Sequence, residues 1–240
     1  MVGEMHCHTF LSLPRWAHAK LPSPHELIDY AISIGLDFIA ITDHDSQEAF
    51  SVVHAYAKER GLVVIPAVEV STKSSRILRR RSHVLAYGLV EQINSHMTLE
   101  ETVARVHAAG GFAVAAHPYC ISYARALYIG DKAKKVDFDG VEVFNSFETE
   151  LANAKSAKLA KDMDVVGLCG SDAHNLASLG LSRVKVNIPK TDNWREIVHA
   201  LKKGQFELHQ KTYGERAASS FTAMRKSLVH SVGNPFRAHK

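Results

Sequence analysis

Short apolar runs alternate with amphipathic segments along the 240-residue chain. The runs with the length and composition of strands are residues 3–8, 37–42, 62–70, 83–89, 111–117, 139–145, 165–172 and 183–188. Helical spacing fills the intervals at 46–60, 98–109, 148–162 and 192–203, and also after Ser23, where Pro24 and Glu26 form a helix start and Gly35 a stop. Because seven strands precede residue 175, this alternation predicts an α/β fold whose parallel sheet closes, or nearly closes, into a barrel.

Nucleotide-cofactor motifs are missing from this pattern. No Gly-x-Gly-x-x-Gly follows the first strand, and no phosphate loop ends in Gly-Lys-Ser or Gly-Lys-Thr. An open, doubly wound sheet built around such a cofactor therefore loses its main support. No long linker or repeat divides the chain, so we expect one barrel domain over 1–210 and a basic tail over 211–240.

Chemically capable side chains follow the predicted strands. The ends carry His6-Cys7-His8, Thr42-Asp43-His44, Glu69, Ala116-His117-Pro118 and Ser171-Asp172-Ala173-His174, whereas His83 begins its strand. In β/α barrels the loops after the strands converge at one face, where active sites form. Residues two apart on a strand share a face, so His6 and His8 are expected to point together. The position of His83 predicts a hairpin-like excursion between the third and fourth strands.

Histidine is unusually frequent, with 15 copies against 14 glycines. Six of these histidines lie in the motifs at the strands, together with Glu69 and Asp172. Imidazoles and carboxylates are ligands for zinc, manganese and iron(II). Such groups clustered in a barrel mouth without a counter-ion would be unpaired or would repel one another, so the arrangement predicts a metal site.

These motifs resemble, in content and order, those of the PHP family, named for polymerase and histidinol phosphatase. The likeness spans about residues 3 to 203 and is greatest to the short stand-alone phosphoesterases of that family. It implies a distorted seven-stranded β/α (TIM-like) barrel with two or three divalent ions, Mn²⁺, Zn²⁺ or Fe²⁺, that hydrolyses phosphate esters. The metal ligands implied by position are His6, His8, His44, Glu69, His83, His117, Asp172 and His174.

One position departs from the family pattern. The family usually supplies an Asp or His shortly after the second histidine of the first motif, where this chain has Leu13 and Pro14. Ser12 and His18 are the nearest candidates to replace it. Either His18 substitutes from a longer loop, or one metal position is weak or absent.

The resemblance also implies a mechanism for phosphoester hydrolysis. We expect a metal-bridging hydroxide as the nucleophile, with Glu69 as the bridging carboxylate and Asp172 as a second essential carboxylate. The leaving group would take its proton from a metal-bound water or from His117 or His174. Asp43, beside His44, is expected to hold an imidazole tautomer from outside the ligand set.

Positive charge is concentrated in two segments. The chain has a net charge of +4, and residues 70–82 and 211–240 each carry five more basic than acidic side chains, so the remainder is net acidic. Arg79, Arg80 and Arg81 join two ligand positions and are candidates to bind a substrate phosphate. In the tail, residues 217–229 have helical apolar spacing, which predicts either packing on the barrel or added affinity for nucleic acid.

Several functions remain open at this point. A metal-dependent phosphoric ester hydrolase acting on a phosphorylated small molecule or nucleotide is the first, and an RNA or DNA exonuclease with the same metal site is the second. An amidohydrolase-like barrel also begins with His-x-His, but no lysine fills the role of its carboxylated bridging lysine, and Glu69 is available instead. A non-catalytic metal-binding domain is the fourth.

The location of the protein is also an expectation from composition. No apolar run approaches the ~18 residues of a membrane span, and the N-terminus lacks the basic and apolar parts of a signal peptide. Cys7, Cys120 and Cys169 are odd in number and widely spaced, as is typical of reduced thiols. The sequence thus predicts a cytoplasmic protein with no membrane association.

Overall fold

One sheet of nine strands organises the molecule. A computed structural model describes residues 1–12, 21–73, 81–120 and 129–211. The strands are β1 Val2–Cys7, β2 Phe38–Ile41, β3 Val63–Lys73, β4 Arg81–Tyr87, β5 Phe112–Ala115, β6 Gly140–Asn145, β7 Val166–Gly170, β8 Ser182–Val186 and β9 Phe206–Gln210. Their order across the sheet is β7-β6-β5-β4-β3-β2-β1-β8-β9.

Five α-helices connect the strands in the described part of the chain: α1 Pro24–Ser33, α2 Glu48–Glu59, α3 Leu99–Ala108, α4 Glu150–Met163 and α5 Trp194–Lys202. The predicted start of α1 is confirmed, because the Ser23 side chain accepts from the Glu26 N–H while the Glu26 carboxylate accepts from the Ser23 N–H. Gly35 follows the helix with a φ of 77°, a left-handed conformation that favours glycine. No helix among these residues has the length and apolar character needed to cross a bilayer.

Strand direction confirms the predicted excursion. β1, β2 and β3 pair in parallel, as do β5, β6 and β7, whereas β4 runs antiparallel to both β3 and β5. This direction puts His83, in β4, opposite Ser71 near the end of β3. The reversal explains why this ligand candidate lies near the beginning of its strand while the others lie towards or after the ends of theirs.

The sheet nearly closes where β7 approaches β1. The His8 N–H donates to the Ala173 carbonyl oxygen at 2.9 Å, and Cys7 and Ala173 form an isolated parallel bridge. The predicted barrel of seven strands is therefore confirmed, and the sheet continues beyond β1 with β8, which is antiparallel to β1, and β9, which is antiparallel to β8. β9 was not predicted, because its residues are mostly exposed and its sequence, Phe-Glu-Leu-His-Gln, is too polar to read as a strand.

The core lies in layers on both sides of the sheet. One apolar cluster includes Met5, Phe38 and Leu168 and is covered by the buried face of α5. Two further clusters pack the opposite face of the sheet, one with Val103 and Val106 of α3 and one with side chains of α1 and α2. All three cysteines are buried and unpaired. Apolar packing thus fills the barrel and leaves the polar residues to gather where the strands end.

Candidate metal centre

The structure brings together all eight ligand residues named from the sequence. His6 belongs to β1 and His8 follows it, Glu69 and His83 belong to β3 and β4, and the others follow β2, β5 and β7. The register of β1 with β2 shifts between Glu4 and Cys7, so the irregular stretch of the strand contains His6 and lies just before His8. The eight are His6, His8, His44, Glu69, His83, His117, Asp172 and His174.

Glu69 occupies the middle of this cluster and is 1% exposed. Its Oε1 lies 2.9 Å from His83 Nδ1 and 3.0 Å from His117 Nε2. Its Oε2 faces three imidazoles on the other side, at 3.1 Å from His44 Nδ1, 3.3 Å from His8 Nε2 and 3.4 Å from His6 Nε2. The two oxygens of one carboxylate therefore address two separate groups of imidazoles, which is the arrangement a bridging ligand requires.

Asp172 closes the cluster from the β7 side. Its Oδ1 lies 3.1 Å from His8 Nε2, 3.5 Å from His6 Nε2 and 3.6 Å from His174 Nδ1. Asp172 and His117 have φ angles of 52° and 25°, in the left-handed region that non-glycine residues rarely adopt. Backbone strain of this kind concentrates at functional sites, where the surrounding structure holds it.

The side chains fit divalent cations. Four overlapping groups each place their ligand atoms within 4.8 Å of one another: His6, Glu69 and His117; His6, His8 and Asp172; His44, Glu69 and His83; and His8, His44 and His174. Four buried atoms among them have no hydrogen-bond partner, namely His6 Nε2, His44 Nδ1, Glu69 Oε2 and His83 Nδ1. Buried polar atoms without partners are costly, and coordination of a cation would satisfy them. This donor set suits zinc, manganese or iron.

Electrostatics favour the protonation states that bind metal at the two carboxylates and at His44. Burial raises the pKa of Glu69, but the nearby imidazoles outweigh it and hold the pKa well below the usual range. The same balance, with His6 and the hydrogen bond from His8 opposing burial, lowers the pKa of Asp172. Burial lowers the pKa of His44 to about 3. Ionised carboxylates and neutral imidazoles are the forms that coordinate metal ions.

Glu142, in β6, is a functional residue that sequence reasoning missed. Its Oε1 lies 2.8 Å from His6 Nδ1, and its Oε2 accepts from the His117 N–H at 2.8 Å. Asn145 Nδ2 donates to the same Oε2 and to Asp172 Oδ2, each at 3.2 Å. A carboxylate only accepts, so the contact with His6 requires the proton on Nδ1 and leaves Nε2 for a cation. The signal in the sequence was a lone acid inside an apolar strand, Val141-Glu142-Val143.

Asp43 lies farther from the imidazoles than expected. Its carboxylate accepts from the Thr9 N–H and hydroxyl at 2.6 Å each and from the Ser12 hydroxyl at 2.7 Å. Ser12 Oγ in turn lies 3.2 Å from His8 Nδ1 and accepts from the His44 N–H at 3.1 Å. The expected direct contact with an imidazole is corrected: Asp43 reaches His8 only through Ser12.

The remaining candidates are placed only in part. Ser12 lies beside the group of His8, His44 and His174, whereas His18 is outside the described residues, as are Arg79 and Arg80. Arg81 begins β4, two residues before His83, and only its main chain is described. The amphipathic segment expected at 217–229 also lies outside the described residues.

Comparison with known proteins agrees with this geometry. A family model described as PHP-associated matches residues 150–206, which include Asp172 and His174. This match agrees with the resemblance of the sequence motifs to those of the PHP family. A crystal structure of a protein assigned as a metal-dependent phosphoesterase of Bifidobacterium adolescentis superposes with a TM-score of 0.63 at 18% identity, covering 82% of this chain and 96% of that one.

Two curated relatives add to the comparison with the PHP family. An uncharacterized protein of Methanocaldococcus jannaschii is 28% identical over 176 residues, which are 70% of this chain and 97% of that protein. A 5′-3′ exoribonuclease of Haemophilus influenzae is 24% identical over 255 aligned positions, covering 71% of this chain and 89% of the relative. The likeness therefore extends over most of the length of each relative.

Proposed function

We propose that the protein is a metal-dependent phosphoesterase that hydrolyses a small phosphomonoester or a nucleotide. The observation that carries the proposal is Glu69, whose two oxygens face imidazoles on opposite sides within a buried cluster. The structural relative assigned as a metal-dependent phosphoesterase supports the same reaction class. A carboxylated bridging lysine is not needed in this arrangement, since Glu69 takes the central position.

The eight ligand residues would hold two or three divalent ions, Mn²⁺, Zn²⁺ or Fe²⁺. When bound, such ions activate water at neutral pH and neutralise charge on the phosphoryl oxygens. Glu69 would bridge and Asp172 would complete the ligand set on the β7 side. The proton for the leaving group would come from His117 or His174; His117 Nε2 lies 3.0 Å from Glu69 Oε1, and His174 Nδ1 lies 2.9 Å from the Asp172 carbonyl oxygen.

Phosphate binding is assigned to Arg79, Arg80 and Arg81. Arg81 lies two residues before His83 in β4, so its main chain lies close to the cluster. A guanidinium group can donate two parallel hydrogen bonds to two oxygens of one phosphate. Replacing all three with alanine is expected to raise KM for a phosphate ester while metal content stays unchanged; unchanged kinetics would remove these residues from the site.

A second candidate function is a 5′-3′ exonuclease that uses the same metal centre. The observation in its favour is the curated relative of Haemophilus influenzae, which is a 5′-3′ exoribonuclease. The basic segments at 70–82 and 211–240 would then contact the phosphate backbone, and strong salt dependence of binding would follow.

The decisive experiment combines metal analysis with a substrate panel. Purified protein is assayed with Mn²⁺ and with Zn²⁺ on nucleoside mono- and bisphosphates, histidinol phosphate, p-nitrophenyl phosphate and short oligonucleotides. The double variant Glu69→Gln, Asp172→Asn is expected to lose turnover and bound metal while remaining folded by circular dichroism. Turnover retained in that variant would refute the mechanism, and metal bound without turnover of any ester would indicate a non-catalytic domain.

A further inference from the structure

An aromatic side chain lies at the rim of the ligand cluster, on the loop after β6. Phe147 is 44% exposed, and its ring centroid lies 6.3 Å from that of His174 at an interplanar angle of 86°. The His174 side chain is 36% exposed, more than any of the other ligand side chains. The two rings therefore lie on the side where the cluster opens to solvent.

Hydrogen bonds fix the position of Phe147 relative to the ligands. Its N–H donates to Asn145 Oδ1 at 2.9 Å, and Asn145 Nδ2 donates to Asp172 Oδ2 at 3.2 Å. One buried amide side chain thus connects the residue that bears the ring with a ligand carboxylate. These contacts hold the backbone of Phe147 beside the centre, and the ring itself contacts that of His174.

The exposure of Phe147 is unusual for this molecule. The large apolar side chains exposed in the described residues are those of Val52, Val90, Phe147 and Leu151, and two of these flank the start of α4. Phe147 is the only aromatic one, and it belongs to none of the apolar core clusters of the described residues. Its ring presents a flat apolar face to solvent next to a polar centre.

We propose that Phe147 determines substrate specificity by stacking on a planar aromatic group of the substrate, while the phosphate lies at the ligand cluster. This inference rests on the proposed phosphoesterase function and narrows its substrate class to phosphate esters that carry a nucleobase. Stacking of a base on an aromatic side chain is worth roughly 5- to 150-fold in affinity. A free nucleotide and the end of a nucleic acid share this chemistry.

Binding is measured by titration calorimetry on the metal-loaded full chain, with non-hydrolysable phosphonate analogues of AMP, of a 5′-phosphorylated dinucleotide and of ribose 5-phosphate. We expect the wild type to bind the base-bearing analogues more tightly than the ribose analogue. Phe147→Ala is expected to lose roughly 5- to 150-fold in affinity for the base-bearing analogues alone. Phe147→Trp is expected to retain the preference, and Val90→Ala, a control at another exposed apolar position, is expected to leave all affinities unchanged.

Equal affinity of the wild type for the AMP and ribose analogues, or no binding of either, would overturn the inference. It would also be overturned if Phe147→Ala weakened all analogues equally or lowered the melting temperature substantially, because the ring would then have a structural role. Tighter binding of the dinucleotide than of AMP would identify a nucleic acid end as the source of the base. Release of phosphate from hydrolysable AMP and from the hydrolysable 5′-phosphorylated dinucleotide tests the proposed function separately, since absent turnover of both would refute hydrolysis while the binding preference stands.

Discussion

Replacing Glu142 with glutamine tests whether this carboxylate prepares the ligand cluster for metal. The wild-type side chain accepts at 2.8 Å from both His6 Nδ1 and the His117 N–H. A glutamine has one acceptor oxygen, so its amide group must face one of these donors. If the NH2 group faces His6, the His6 ring must accept on Nδ1 and carry its proton on Nε2, where a cation would bind. If the NH2 group faces His117, the buried His117 N–H loses its partner.

The first outcome keeps both contacts but places a proton on His6 Nε2, whereas the second leaves a buried N–H without a partner, at a cost of about 1–3 kcal/mol in the free energy of unfolding. Loss of a group that orients a metal ligand lowers metal affinity by about 10- to 100-fold, and we expect that range for Glu142→Gln. The assay is competition with a chromophoric chelator for Zn²⁺ or Mn²⁺, combined with nitrogen NMR of the His6 imidazole.

Glu4→Gln is the matched control for this substitution. Glu4 is also buried, and its carboxylate accepts from the backbone N–H groups of Met5, His6, Ser171 and Gly180 and contacts the Ser171 side chain. We expect it to destabilise the fold while the His6 tautomer stays unchanged. Wild-type metal affinity and an unchanged tautomer in Glu142→Gln would refute the reasoning.

Three further outcomes are expected. Burial raises the pKa of Asp43 from 3.8 to about 6, so the native state is penalised above pH 6 by ~3 kcal/mol and the penalty fades as the pH falls towards 4. With a chelator present to remove metal, denaturant titrations should show a higher free energy of unfolding for Asp43→Asn than for the wild type at pH 7.5 and no difference at pH 4. Equal gains at both pH values would contradict this. A Cβ on Gly170 would overlap His6 Cβ, whereas one on Gly3 would overlap the Phe38 ring. Both alanine variants should therefore lose about 1–3 kcal/mol in the free energy of unfolding. Only Gly170→Ala should also lose metal affinity in the chelator assay, because only its Cβ displaces a candidate ligand. Free metal at 100 times Kd should stabilise the wild type by about 2.7 kcal/mol, which would appear as a higher melting temperature. The double variant Glu69→Gln, Asp172→Asn should show no such rise.

The sequence was sufficient to predict the strands of the barrel, and the candidate ligands named on them lie close together in the structure. Each signal was local: an apolar run, a helix start such as Ser23 with Glu26, and ligand residues two apart as in His6 and His8. Because parallel strands end at the same edge of a sheet, these local signals were enough to place distant ligands together.

The partners outside the ligand set could not be predicted in this way. Glu142 meets His6 across 136 positions of sequence, and the contact exists only because β6, β7 and β1 come together where the barrel closes. Asp43 lies next to His44 in sequence, yet its carboxylate turns to Thr9 and Ser12. Adjacency along the chain does not determine which way a side chain at the end of a strand points.

The charges of the cluster explain why it is better suited to binding cations than to stabilising the fold. Carboxylates raise the pKa of His6 well above its usual value although burial opposes them, while burial lowers the pKa values of His8 and His44. Imidazoles thus compete for few carboxylate oxygens, and several buried ring nitrogens have no hydrogen-bond partner. A core built only for stability would replace such groups with apolar side chains, since buried charges rarely repay their desolvation. The cost is recovered when cations coordinate these atoms, which couples the stability of the barrel mouth to metal binding.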